Sequence, residues 1–197
     1  AILLPKVNAG ADIEWLAEYL DKQPNCHDTA IWAMMETPLG ILNAKEIAAS
    51  SPRLKGMVLG TNDLVKDMGA RHTLDRAPMM TSLGLCLLAA RAYGLVCVDG
   101  VYNKYQDTET LQMMCEQGRD LGFDGKSLIH PSQIETANTV FAPSADDIDL
   151  ARRQMAAFAE AEAKGLGIAV LDGNIVENLH VESARKLLAR ADAIRAM

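Results

Sequence analysis

The sequence has no stretch of about 18 apolar residues free of charge, so no membrane-spanning helix is expected. Cys26, Cys86, Cys97 and Cys115 lie too far apart for a C-x-x-C metal or redox motif. All four are expected to be reduced and structural, with Cys86 and Cys97 in apolar surroundings. His27, His72, His130 and His180 show no H-x-H or H-E-x-x-H spacing, which argues against zinc. No G-x-G-x-x-G follows an apolar run, so the dinucleotide-binding signature is missing, and no G-x-S-x-G marks a serine hydrolase. Positive charge is in the minority. Lys plus Arg number 19 against 26 Asp plus Glu, a net charge of −7, so no nucleic-acid partner is expected. No secretory leader is expected ahead of the apolar Ile2-Leu3-Leu4, and a cytoplasmic location is expected.

What is present is a globular balance: 49% apolar and 23% charged residues over 197 positions, enough for one domain with a real core. Short apolar runs alternate with longer amphipathic ones. Strands are expected at Ile2–Val7, Thr29–Met35, Gly56–Gly60, Leu95–Val98 and Lys126–Ile129. The first of them reads as buried. Helices are expected at Asp12–Leu20, Leu42–Ala49, Thr81–Tyr93, Thr108–Leu121, Ser132–Val140, Ala145–Lys164 and His180–Ala196, with a small hairpin over Ile168–Val176 turning at Asp172-Gly173. Five strand–helix alternations imply α/β architecture with parallel strands. A doubly wound sheet and a (β/α)8 barrel compete. Polar residues cluster where the apolar runs end (Glu36, Asn62-Asp63, Asp99, His130), which favours the barrel, whose active sites lie at that rim.

Glu36 and Asp63 end consecutive strands and would point into one rim. Oxygen ligands with room for water suit a hard cation such as Mg²⁺. Equally, each carboxylate can cap the helix that follows it. His130, alone at a strand end, reads as a hydrogen-bonded structural residue rather than a base. Lys6 can form a Schiff base if desolvated, but an ion pair with a rim carboxylate is the preferred reading. Asp99 would either orient a substrate or buttress the rim.

Four motifs in order, Leu3-Leu4-Pro5-Lys6-Val7, Glu36-Thr37-Pro38-Leu39-Gly40, Gly60-Thr61-Asn62-Asp63-Leu64 and Gly125-Lys126-Ser127-Leu128-Ile129-His130-Pro131-Ser132-Gln133, resemble the citrate lyase beta subunit-like family within the aldolase/citrate lyase group. The resemblance runs from residue 1 to about residue 190. It implies a (β/α)8 TIM barrel in which residues 1–142 supply strands 4–8 and the first three strand–helix units are missing, so the chain is expected to be part of a longer protein. Residues 143–197 would form a C-terminal helical extension whose hairpin reaches a neighbouring subunit. Relatives include malyl-CoA and citramalyl-CoA lyases and malyl-CoA thioesterases.

The implied reaction makes or breaks a C–C bond between an acyl-CoA and a small oxo acid, on Mg²⁺ (or Mn²⁺) held by Glu36 and Asp63. Glu36, with the backbone amides of Leu39 and Gly40, would bind the substrate acid. The family's substrate arginine matches no position here. Glu177, in Asp172-Gly173-Asn174-Ile175-Val176-Glu177, stands where relatives carry the catalytic Asp of a D-G-x-M-I-D segment. It is the expected base, acting across a subunit interface, against the plainer reading of a residue capping the last helix near His180. Gly125–Pro131 is the local candidate for CoA contact. A homotrimer or hexamer follows from the resemblance. The alternatives are thioester hydrolysis on the same scaffold, a metal-dependent aldolase for hydroxy-oxo acids, and a non-catalytic subunit.

Overall fold

The computed structural model describes residues 1–196, which divide into two compact units, Ala1–Phe141 and a second beginning at Ala142. The first unit holds strands β1 (Ile2–Leu4), β2 (Ile31–Met35), β3 (Leu54–Leu59), β4 (Val96–Asp99) and β5 (Gly125–Lys126). Its helices are α1 (Gly10–Asp21), α2 (Pro38–Leu42), α3 (Ala44–Ala49), α4 (Thr61–Asp67), α5 (Met80–Ala92), α6 (Thr108–Leu121) and α7 (Ile134–Phe141). The strands form one parallel sheet in the order β1-β2-β3-β4-β5. A doubly wound sheet needs a reversal of strand order at a switch point. An unreversed order with right-handed crossovers puts every helix on one face. The sheet is open, with β1 and β5 at its edges.

The core follows from the apolar spacing. Ile31, Ala33 and Met35 of β2 are buried and alternate with half-buried Trp32 and Met34. From Gly56 to Leu59, β3 is buried on both faces. Ile13, Leu16 and Leu20 form the buried stripe of α1. The cysteines are free; Cys86, Cys97 and Cys115 are buried, and burial pushes the Cys97 thiol up to about 12 and Cys86 higher still. These are inert packing groups.

Several boundaries differ from the sequence expectation. The first strand is an exposed edge, with Ile2 38% and Leu3 44% exposed, and it stops at Leu4 because Lys6 takes a left-handed φ of 51°. The helix expected from Leu42 starts at Pro38 under a Thr37 cap and breaks at Asn43, whose side-chain amide donates to the Asn8 carbonyl at 2.8 Å. The short helix α4 was not expected. The last strand of the sheet ends at Lys126 rather than Ile129. The Ile129 N–H donates to Gln133 Oε1 at 3.0 Å instead of to a neighbouring strand.

The second unit comprises α8 (Ala145–Ala163), β6 (Ala169–Leu171), β7 (Asn174–Val176) and α9 (Asn178–Arg195). Ser144 and Asp147 form a reciprocal capping box at the start of α8, with Asp147 N–H donating to Ser144 Oγ at 3.0 Å and Ser144 N–H to Asp147 Oδ2 at 3.2 Å. The antiparallel β6–β7 hairpin turns at Asp172-Gly173, both with positive φ, as a type I′ turn requires. Ala161, Ala169 and Val176 are its buried centre, with Phe158 packed against them. Among the described residues no helix is long and apolar enough to cross a membrane.

Candidate active site

Glu36 directly follows β2, and Asp63 lies in the first turn of α4, just after β3. The parallel register of β2 and β3, with Met35 opposite Leu59, brings the two carboxyls close enough to interact. Glu36 is 7% exposed, whereas the Asp63 side chain is 41% exposed. Burial pushes the Glu36 carboxyl above the usual carboxylate range; the Asp63 carboxyl adds to the rise, and the Lys6 amide opposes it. That amide donates to Glu36 Oε1 at 2.9 Å, and the strained φ of Lys6 turns it there. Lys6 Nζ stands 3.8 Å from Asp63 Oδ1. The ion-pair reading of Lys6 is thus what the structure shows.

Of the two readings open for Asp63, cation ligand or helix cap, the cap is not made: Gly60 is the N-cap of α4, and no side chain caps the helix. When both are ionised, Glu36 and Asp63 set two negative charges against one from Lys6, and a divalent cation would relieve that imbalance. Among the described residues no group of three or more His, Cys, Asp or Glu is gathered anywhere. Two carboxylates alone suit Mg²⁺, which keeps several waters and completes its shell with substrate oxygens. The donor set fits that ion.

Gly60 makes this pair possible. A Cβ there would lie 2.4 Å from Glu36 Cβ and 2.6 Å from Glu36 Oε2. Gly60→Ala must therefore push the Glu36 side chain aside. If Glu36 is a cation ligand, the expected result is an affinity for Mn²⁺ lowered about tenfold or more, since a displaced ligand is a lost charge-assisted contact. Isothermal titration with the purified protein checks it, and parental affinity in Gly60→Ala would show that Glu36 does not hold the ion.

After Glu36 the chain enters α2. Thr37 Oγ1 donates to Asn8 Oδ1 at 2.6 Å and accepts the Gly40 N–H at 3.0 Å. The Gly40 amide is therefore occupied by the cap. Gly40 has a separate reason to be glycine: a Cβ would lie 2.2 Å from the Val7 carbonyl oxygen. Leu39, on the same first turn, is 55% exposed.

Asp99 buttresses the rim. It is wholly buried at the end of β4 and accepts Arg76 Nη1 on both oxygens at 2.7 Å and Lys126 Nζ at 2.8 Å. The Gly100 amide donates to Oδ1 at 2.8 Å. Sequence reasoning did not single out Arg76, because a lone arginine in a loop carries no spacing signal. His130 is structural: Nδ1 accepts Ser132 N–H at 3.2 Å, and the ring stacks on Tyr105 with centroids 4.4 Å apart. Glu177 belongs to the second unit, where it precedes α9 as its N-cap with an exposed side chain, and its N–H donates to His180 Nδ1 at 3.2 Å.

Residues 1–131 match the HpcH/HpaI aldolase/citrate lyase family. The chain is 60% identical over 196 residues to a (3S)-malyl-CoA thioesterase of Cereibacter sphaeroides, a match that covers 100% of this chain and 66% of that protein. It is 33% identical to the citrate lyase subunit beta of Escherichia coli over 97% of its own length and 65% of the relative's. Among solved structures, CitE from Mycobacterium tuberculosis in complex with magnesium, acetoacetate and coenzyme A superposes with a TM-score of 0.79, at 30% identity, over 96% of this chain and 67% of that one. The chain thus spans just under two thirds of the curated relatives it matches.

Proposed function

The chain belongs to the HpcH/HpaI aldolase/citrate lyase family, and from that premise we propose that it is a Mg²⁺-dependent enzyme acting on the CoA thioester of a small hydroxy acid of the malyl type, with thioester hydrolysis as the outcome. The observation that carries this is the adjacent Glu36–Asp63 pair, held by a buried strand end and a strained Lys6 amide. Between hydrolysis and C–C lysis, 60% identity to a malyl-CoA thioesterase outweighs 33% to a citrate lyase subunit. Hydrolysis, first set out as the alternative, is therefore the main reading, and C–C lysis is the second. The five-stranded sheet is taken as an arc of a (β/α)8 barrel, supported by its unreversed strand order.

Glu36 and Asp63 would hold the cation, which when bound supplies a Lewis acid toward the substrate's carboxylate and the oxygen beside it. Lys6 stays over Asp63 and limits the negative charge that an anionic substrate meets. The Leu39 amide at the start of α2 offers the substrate carboxylate a donor, while the Thr37–Gly40 cap keeps that turn rigid. Hydrolysis adds water to the thioester carbon. The C–S bond breaks, CoA leaves as the thiolate and is protonated, and the acid departs as its carboxylate. Glu177 is proposed to take the proton of the attacking water, supplied by a second copy in a homotrimer or hexamer. A Glu in place of Asp shifts the carboxylate by about one methylene, a displacement large enough to change which bond is attacked.

The test is product analysis with (3S)-malyl-CoA and Mg²⁺. Free CoA with intact malate, lost on chelation, is the expected result. Acetyl-CoA with glyoxylate would instead establish C–C lysis, and absence of both products would remove the enzymatic reading.

A further inference from the structure

At the ends of β3, β4 and β5 lies a cavity of about 380 Å³, large enough for a small organic ligand. Arg76 and Lys126 line it, with side chains 5% and 2% exposed, and their one acidic partner among the described contacts is Asp99. Two buried cations against one anion leave a formal charge of +1. The arginine is held in an unusual way. A guanidinium normally meets a carboxylate with two parallel nitrogen donors. Here Nη1 alone bonds both Asp99 oxygens at 2.7 Å, and Nε donates to Gln117 Oε1 at 2.6 Å. Nη2 is left buried with no partner. An unmade hydrogen bond on a buried cation costs about 1–3 kcal/mol or more. Arg76 carries a second cost, a left-handed φ of 55°. Two costs at one residue that lines a cavity point to a group that enters the cavity and meets its charge. Elsewhere the wall carries Lys104 and His72 beside an apolar part formed by Leu74, Val101 and Met114.

We propose that this cavity binds a small organic carboxylate, with its carboxylate against the Arg76–Lys126 pair and its short aliphatic body against Leu74, Val101 and Met114. The site is separate in kind from the Glu36–Asp63 pair, which attracts a cation. The two are mechanically joined, because Asn62, next to Asp63, and Asn103, on the cavity wall, exchange side-chain amide hydrogen bonds at 3.0 and 2.8 Å.

The experiment measures the melting temperature and titration calorimetry of the purified protein with sodium butyrate, at ionic strength fixed with NaCl and with EDTA present. Chelation empties the cation site, so the outcome is independent of the proposed thioester reaction. A saturable rise with butyrate and none with neutral butyramide is expected. Arg76→Met should weaken the butyrate Kd about tenfold or more. Val101→Phe adds bulk at the cavity wall while leaving every charge of the cluster in place and should abolish the response, which keeps the test decisive if Arg76→Met does not fold. The proposal is overturned by a butyrate effect no larger than that of chloride, by an equal effect of butyramide, by a response to inorganic phosphate alone, or by a response that survives in Val101→Phe.

Discussion

Glu36→Gln is expected to lower Mg²⁺-dependent thioester turnover by about 10³-fold or more, while stability stays within about 1 kcal/mol of the parent. The two halves of that result come from the same geometry. Glutamine keeps the size of the side chain and an oxygen for the Lys6 amide, which lies 2.9 Å from Glu36 Oε1. It removes a charge that the buried position disfavours, as the raised affinity of Glu36 for a proton shows. Folding therefore has little to lose. The cation has much to lose, because two carboxylates are the only protein ligands this pair offers and Asp63 is already matched by Lys6 Nζ at 3.8 Å. Release of free CoA measured across a Mg²⁺ titration, beside a thermal unfolding curve, separates the effects. Unchanged turnover at the parental Mg²⁺ midpoint would remove Glu36 from the site, and a large fall in melting temperature would mean that the ionised form supports the fold.

The position of this pair was legible in the sequence because strand ends are legible. An apolar run that stops at a carboxylate places that carboxylate at a rim, and Ile31–Met35 followed by Glu36 is such a run. The parallel α/β character and the Asp172-Gly173 hairpin were readable for similar reasons: hydrophobic period in one case, turn chemistry in the other. What escaped depends on contacts far apart in sequence. Gly60 sits in a recognisable motif, but its need for a missing Cβ appears only once Glu36, 24 positions earlier, packs against it. Arg76, a lone arginine in a loop, carries no pattern that marks it. Its burial follows from Asp99, 23 residues further on. The early end of β5 rests on a single side chain, Gln133, taking the Ile129 amide. Short elements such as α4 carry too few residues for a periodicity to register.

Asp99→Asn is expected to cost about 3–5 kcal/mol of stability, because it leaves Arg76 and Lys126 buried together without their anion. For a protein of this size that corresponds to a fall of about 10 °C in melting temperature. The loss should be electrostatic rather than steric, since asparagine matches aspartate in volume, and two further measurements show which it is. Lys126→Met in the Asp99→Asn background removes one of the two stranded cations, so the double variant should be more stable than Asp99→Asn alone, although Lys126→Met by itself removes a good ion pair. A strictly additive cycle would mean that the cations do not sense one another. Butyrate should also raise the melting temperature of Asp99→Asn by more than it raises that of the parent, because the Arg76–Lys126 pair then lacks its anion. Chloride at equal ionic strength should not reproduce this, since a screening effect would treat both proteins alike. The same ion cluster thus links a stability measurement to the carboxylate site. If Asp99→Asn is destabilised but insensitive to butyrate, the cluster serves the fold alone.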